Sequence, residues 1–263
     1  MNKPETYRAA IEEYLAAALP GGDKLHEAMR YALLSGGKRI RPILTLEFCR
    51  ICGGDWEKAL PVAAGVEMLH CYTLIHDDLP CMDNDDTRRG RPACHIAYGE
   101  TVATLAGDCL QAEAFASVCR APIGGEAIAR CCALLARAAG GEGVCLGQLY
   151  DLTGANDTEA ALLQTDLGKT AALIAAACAM GAAAAGADEE HIAAAAEYGT
   201  QLGMAFQLRD DALDGDGFFA LLGETECTRR TRAYTQRALD VLNAFENVDF
   251  LCKMTEELAG RFT

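Results

Sequence analysis

Between His70 and Pro92 the chain reads HCYTLIHDDLPCMDNDDTRRGRP, so an apolar helical run ends in Asp77-Asp78 and Pro80 and is followed by Asp83, Asp85 and Asp86. Carboxylates at a helix C-terminus oppose the macrodipole, and crowded like charges repel by ~0.2–0.5 kcal/mol a pair. A hard cation with oxygen ligands removes that cost. Magnesium suits such a place, because it takes a few carboxylates and completes its shell with water and phosphate oxygens. A second cluster, Asp210-Asp211-Ala212-Leu213-Asp214, spaces Asp210 and Asp214 four residues apart, on one helix face. Either cluster alone could be a solvated helix end; two on separate apolar helices are far more specific.

Basic turns accompany the acids. Gly36-Gly37-Lys38-Arg39-Ile40-Arg41-Pro42 lies early in the chain and Arg88-Arg89 directly follows the first acidic cluster. Arginine grips phosphate oxygens through a planar fork and lysine as a point charge. Carboxylates, arginines and glycine turns together point to diphosphate groups, one bridged by metal and one bound directly.

These residues need rigid elements to hold them. Alanine, leucine and glutamate abound, and the 7 prolines lie mostly near the ends of periodic segments, which predicts an all-α chain. Helices are expected over Asn2 to Leu19, from an N-cap at Asp23 through Leu34, over Ile43 to Cys52 and over Trp56 to Leu79. Others are expected over Thr101 to Cys119, Glu126 to Ala139, Val144 to Leu152, Asp157 to Met180, Glu189 to Leu213, Phe219 to Ala244 and Asp249 to Arg261. The first stops at Pro20-Gly21-Gly22, and Ala171 to Ala187 reads as close-packing helix. Connections are short and nothing repeats, so residues 1–263 are expected to form one domain.

A net charge of −15 argues against nucleic acid, whose backbone binds clustered Lys and Arg. Met1 to Ala10 lacks the apolar core of a signal peptide, and no uninterrupted run reads as a transmembrane segment, so the expected location is cytoplasmic. The 13 cysteines are expected as thiols; Cys49 and Cys52 form an isolated CxxC with no second pair to complete a zinc site.

The motifs occur in a known order: GGKRIRP, the Asp77 to Asp83 acidic motif with its RRG, GQLYD at Gly147 to Asp151, Lys169-Thr170, and FQLRDDALD at Phe206 to Asp214. Over nearly its whole length the chain resembles the short-chain trans-prenyltransferases, the farnesyl and geranylgeranyl diphosphate synthases. The resemblance implies an isoprenoid-synthase helical bundle around an apolar cavity, Mg2+ as cofactor, and a homodimer. It implies that Asp77, Asp78 and Asp83 hold magnesium on one side of the allylic diphosphate, with Asp210 opposite and Asp214 completing the second motif. Lys38, Arg41, His70 and Arg89 match positions that grip isopentenyl diphosphate. Arg88, Lys169, Thr170 and Gln207 match positions on the allylic substrate.

The chemistry implied is ionisation of the allylic diphosphate and attack on the cation by the isopentenyl double bond, inside a wall that excludes water. Leu69, Leu74, Leu105, Phe115 and Phe206 are expected to supply that wall. Tyr72 and Thr73, five and four residues before Asp77, lie where a growing tail would point, and the aromatic Tyr72 predicts a farnesyl product, with geranylgeranyl diphosphate as the alternative. A class I terpene cyclase and a non-catalytic prenyltransferase subunit are rival readings; Lys38, Arg41 and the two intact acidic motifs argue against them. The family's lysine-bearing loop after the second motif is absent at the Gly217–Phe218 junction, and is expected to be a segment missing from the sequence.

Overall fold

A computed structural model describes residues 3–19, 21–154 and 157–260. The expected helix limits at Asn2 and Arg261, and Pro20 of the first stop, lie outside the described residues. The elements are α1 (Lys3–Ala18), α2 (Lys24–Leu33), α3 (Ile40–Ile51), α4 (Leu60–Asp77), a two-stranded ribbon of β1 (Thr87–Arg88) and β2 (Arg91–Pro92), α5 (Cys94–Tyr98), α6 (Glu100–Cys119), α7 (Gly125–Ala139), α8 (Val144–Leu152), α9 (Glu159–Asp166), a π-helical turn (Leu167–Ala171), α10 (Ala172–Ala184), α11 (Glu189–Asp214), α12 (Gly217–Leu222), α13 (Glu224–Val241) and α14 (Asp249–Ala259). The protein is all-α apart from that ribbon among the described residues.

A helix that is apolar on every face must be surrounded, and α4 and α10 are of this kind. Along α4 the residues Pro61 to Leu69 are all buried, and α10 is buried from Ala176 to Ala184. Helices α3, α6, α7 and α11 pack around them. Small residues permit close approach: a Cβ on Gly107 of α6 would lie 2.1 Å from His76 Nε2 of α4. Helix starts follow local chemistry, with the side chains of Asp23, Thr158 and Asp188 accepting from the backbone N–H of His26, Ala161 and His191.

Some elements differ from expectation. Helix α4 begins at Leu60 with Pro61 in its first turn, rather than at Trp56. The expected Phe219 to Ala244 helix is broken by Gly223 at φ 79°, which separates α12 from α13. The ribbon and α5 fill a stretch for which no element was expected. As expected, α9, the π turn and α10 form one continuous helix, which runs Glu159–Ala184 rather than Asp157 to Met180; it is long and apolar enough by composition to cross a bilayer, although 72% of its most apolar window is buried inside the fold.

Candidate active site

Helix α4 ends at Asp77, and the backbone N–H of Asp83 donates to the Asp77 carbonyl (2.9 Å), folding the acidic loop back onto the helix end. Burial pushes the Asp77 carboxyl up to about 6; Lys169 opposes the shift and the charge of Asp83 adds to it. Asp78 is buried and accepts from Arg88 Nε at 2.8 Å. The ribbon makes this return possible, because its turn residues Arg89 (φ 54°) and Gly90 (φ 73°) are both left-handed, the geometry that matches the twist of a two-residue hairpin. The same turn sends neighbouring arginines to different places: Arg88 goes to Asp78, while Arg89 reaches the Gly36 carbonyl and Ser35 Oγ.

The basic motif is also divided. Arg39, left-handed at φ 51°, is buried and fully partnered: it donates to Glu12 Oε1 (2.6 Å), Glu67 Oε1 (2.6 Å) and the Leu33 carbonyl (2.8 Å). Arg41 instead lies beside His70, Nη1 to Nε2 at 3.3 Å, and its Nε is buried without a partner. Burial, with Arg89 adding to it and Glu67 opposing it, lowers the Arg41 pKa to about 10. Burial and the charges of Arg41 and Arg89 push the His70 pKa well down, so its ring is neutral. Lys38, Arg41, His70, Arg89, Thr170, Phe206 and Gln207 line one pocket of about 600 Å³.

Lys169 and Thr170 sit in the π turn, a backbone form that recurs at functional sites. A Cβ on Gly147 would lie 2.1 Å from the Lys169 nitrogen, so only glycine lets α8 seat against this turn. One turn later on α8, Asp151 accepts from Lys169 Nζ at 2.5 Å. Burial works against the Lys169 charge, but Asp151, Asp77 and Asp83 outweigh it and raise its pKa. Thr170 Oγ1 donates to Gln207 Oε1 (2.7 Å), and Gln207 Nε2 donates to Asp211 Oδ1 (2.8 Å). Asp211 Oδ2 then accepts from the Phe218 N–H (2.9 Å), which ties down the short Asp214 to Phe218 junction. Asp210 is half-buried, and burial raises its pKa against the pull of Arg209 and Lys38; Asp214 is exposed at the helix end.

A second pocket, about 630 Å³, is lined by Asp151, Asp166, Lys169, Gln207, Asp211 and Asp216 among others. Gln207 lines both pockets, so the basic and acidic regions adjoin. Asp166 was not foreseen. It is buried, its Oδ2 has no partner, and burial with the charges of Asp211 and Asp151 pushes its carboxyl up to about 8. Its sequence signal is an acid three residues before Lys169 on an otherwise apolar helix. Of the expected wall, Phe206 lines the basic pocket and Leu69 is core, but Leu105 is exposed, because its face of α6 points away from α4. Tyr72 is buried, with its hydroxyl 3.5 Å from Cys145 Sγ and its ring edge-on to His76; the Thr73 hydroxyl donates to the His70 carbonyl at 2.8 Å.

Among the described residues no three His, Cys, Asp or Glu side chains converge as a ready metal cage. The donor set nevertheless fits a hard cation, because Asp77 and Asp83 crowd oxygen ligands together and the Asp77 charge is under-compensated.

The polyprenyl synthetase family model matches residues 22–228. The chain belongs to that family. Curated relatives include the chloroplastic geranylfarnesyl diphosphate synthase of Leucosceptrum canum, 45% identical over 225 residues, which cover 82% of this chain and 62% of that protein. The chloroplastic geranylgeranyl pyrophosphate synthase of Catharanthus roseus is 40% identical, covering 86% of this chain and 64% of the relative. The chain thus spans about three fifths of the length of these family members. An apo FPP/GFPP synthase from Zymomonas mobilis superposes with a TM-score of 0.92 at 34% identity, over 97% of this chain and 96% of that one. For the geranylgeranyl pyrophosphate synthetase of the archaeon Geoglobus acetivorans the values are 0.91, 27%, 99% and 100%.

Proposed function

We propose that this polyprenyl synthetase joins isopentenyl diphosphate to an allylic diphosphate. The observation that carries the reading is the shared wall at Gln207: a desolvated basic pocket able to hold one diphosphate adjoins an acidic pocket whose Lys169 also feels the charges of Asp77 and Asp83, carboxylates able to hold another through a cation. Lys38, Arg41 and Arg89 grip the substrate that does not ionise, and Lys169, Thr170 and Gln207 face the one that does. Magnesium is the cation proposed, held by Asp77, Asp83 and Asp210, and when bound it supplies charge stabilisation to the departing diphosphate. Asp78 is tied to Arg88 and holds that arginine beside the acidic loop. The proposed assembly is a homodimer, for which the exposed Leu105, Leu149 and Leu152 offer apolar surface.

For the product we infer geranylgeranyl diphosphate, supported by the names of the Catharanthus relative and of several Arabidopsis ones. Farnesyl diphosphate is the second reading, favoured by the buried Tyr72 five residues before Asp77 on the same helix. Purified protein with magnesium, isopentenyl diphosphate and dimethylallyl or geranyl diphosphate should release a linear C20 diphosphate. A C15 product that lengthens in Tyr72→Ala would instead make Tyr72 the stop. A cyclised hydrocarbon would point to a terpene cyclase, and no condensation at all would sink the synthase reading.

A further inference from the structure

Most thiols in this chain are accounted for by burial or by oxygen partners. Cys71 and Cys178 lie in the core, Cys131 Sγ donates to the Met180 carbonyl (3.5 Å), and Cys227 Sγ donates to the Leu208 carbonyl (3.2 Å). One contact is of another kind. Cys119, the last residue of α6, has its Sγ 4.0 Å from Cys132 Sγ on α7.

Two features make that contact a defined geometry. Each cysteine stands on a different helix, and the α6–α7 turn contains Pro122, whose ring limits its freedom. Consecutive helical residues also point about 100° apart, so Cys131 can turn into the core while Cys132 faces the end of α6. Cys119 is exposed and Cys132 half-buried. The two sulfurs stand 4.0 Å apart, so side-chain rotation with a small helix shift closes the gap to a bond of about 2.0 Å.

We propose that Cys119 and Cys132 form a thiol–disulfide exchange site whose reagent is a low-molecular-weight disulfide such as glutathione disulfide. The exposed Cys119 thiolate attacks one sulfur of the reagent and expels one glutathione thiolate, leaving a mixed disulfide. The Cys132 thiolate then attacks the Cys119 sulfur and expels the second. Two protein thiols are oxidised, one reagent disulfide is reduced to two thiols, and the two protons lost by the cysteines are taken up by the two leaving thiolates.

The bond lies at the end of the bundle remote from the acidic motif. Helices α4 and α6 run antiparallel, since His76 contacts the Thr104 carbonyl (3.0 Å) at one end while Ser117 donates to the Pro61 carbonyl (2.8 Å) at the other. The length of α4, about 25 Å at 1.5 Å per residue, therefore separates Cys119 from Asp77. The clip ties α6 to α7 and leaves the pockets alone.

Reduced full-length protein is treated with excess glutathione disulfide, alkylated, digested and mapped, with its melting temperature measured before and after. The expected result is a peptide joining the end of α6 to α7 within a monomer, a melting temperature raised by several degrees and restored by dithiothreitol, and unchanged turnover. Cys119→Ser and Cys132→Ser each lose the joined peptide and the rise. Glutathione retained on Cys119 without ring closure, pairing with any other cysteine, or a wild type that keeps both thiols would overturn the assignment. Apart from turnover, none of these readouts depends on the proposed condensation.

Discussion

Arg39 and Arg41 stand two residues apart at the start of α3 and live under opposite rules. Burial works against the Arg39 charge, yet Glu12 and Glu67 hold its pKa above the usual range, and its guanidinium is clamped by two carboxylates and a carbonyl. Arg41 is equally dry but faces His70, Arg89 and only the distant pull of Glu67, so its pKa falls to about 10. The first arrangement is a completed ion pair, which holds α1, α3 and α4 together. The second stores an unmet demand for negative charge. The acidic side mirrors it with the sign reversed, because burial raises Asp77 and Asp210. Incomplete compensation thus separates a place for a ligand from a piece of architecture.

The sharpest break of that contrast removes the clamp. Arg39→Met leaves Glu67 buried without its partner, which should cost about 3–5 kcal/mol and lower the melting temperature by roughly 6–20 °C. Calorimetry reads this directly. A variant with wild-type melting would make Arg39 no more structural than Arg41.

Next in size, Asp77→Asn and Asp210→Asn should each reduce turnover by about a hundredfold or more at saturating magnesium, with little change in melting, because they remove transition-state charge stabilisation rather than packing. Steady-state kinetics on isopentenyl and geranyl diphosphates test it. Arg41→Gln should raise the KM for isopentenyl diphosphate by about tenfold, the scale of one charge-assisted hydrogen bond, while that for the allylic substrate moves less. An effect confined to the allylic KM would exchange the two sites.

The smallest effect is a slope against pH. Asp166 has a folded-state pKa of about 8, above its ordinary value near 3.8, so the folded chain holds a proton there that the unfolded chain has released. Stability from this group is present at low pH and is lost as pH rises toward 8. Asp166→Asn should therefore flatten the fall in stability between about pH 5 and 8. Parallel denaturant titrations of both proteins would show it; identical slopes would mean that water or a cation already satisfies the carboxyl.

Much of this was legible beforehand, and the limits have physical causes. Helices α6, α7 and α8 fall within a residue of the periodicity's prediction, because their apolar spacing and flanking glycines agree. The ribbon was not legible, since Arg89-Gly90 lacks the Asn-Gly signature although both residues adopt its geometry. Gly223 fell inside the expected Phe219 to Ala244 helix, whose apolar spacing gives no sign of its left-handed φ of 79°. Leu105 looked like wall because apolarity does not reveal which face of α6 meets α4. Lys38, Arg41, His70 and Arg89 were foreseen as one group and line one pocket; Thr170 and Gln207, which also line it, were expected on the allylic substrate. Asp166 was not, because its meaning depends on Asp151 and Asp211, which only the tertiary fold brings near.

The π turn at Leu167–Ala171 works as a phase shift in the register of a 26-residue helix. Each residue of an α-helix advances by about 100°, so a turn with one extra residue rotates everything after it relative to everything before. That offset lets Asp166, Lys169 and Thr170 reach the site while Ala176 to Ala184 stay buried on every side. Deleting a single residue here would restore a regular helix and swing one half of it by about a quarter-turn. Among lineages descending from this sequence, the segment should reject changes of length.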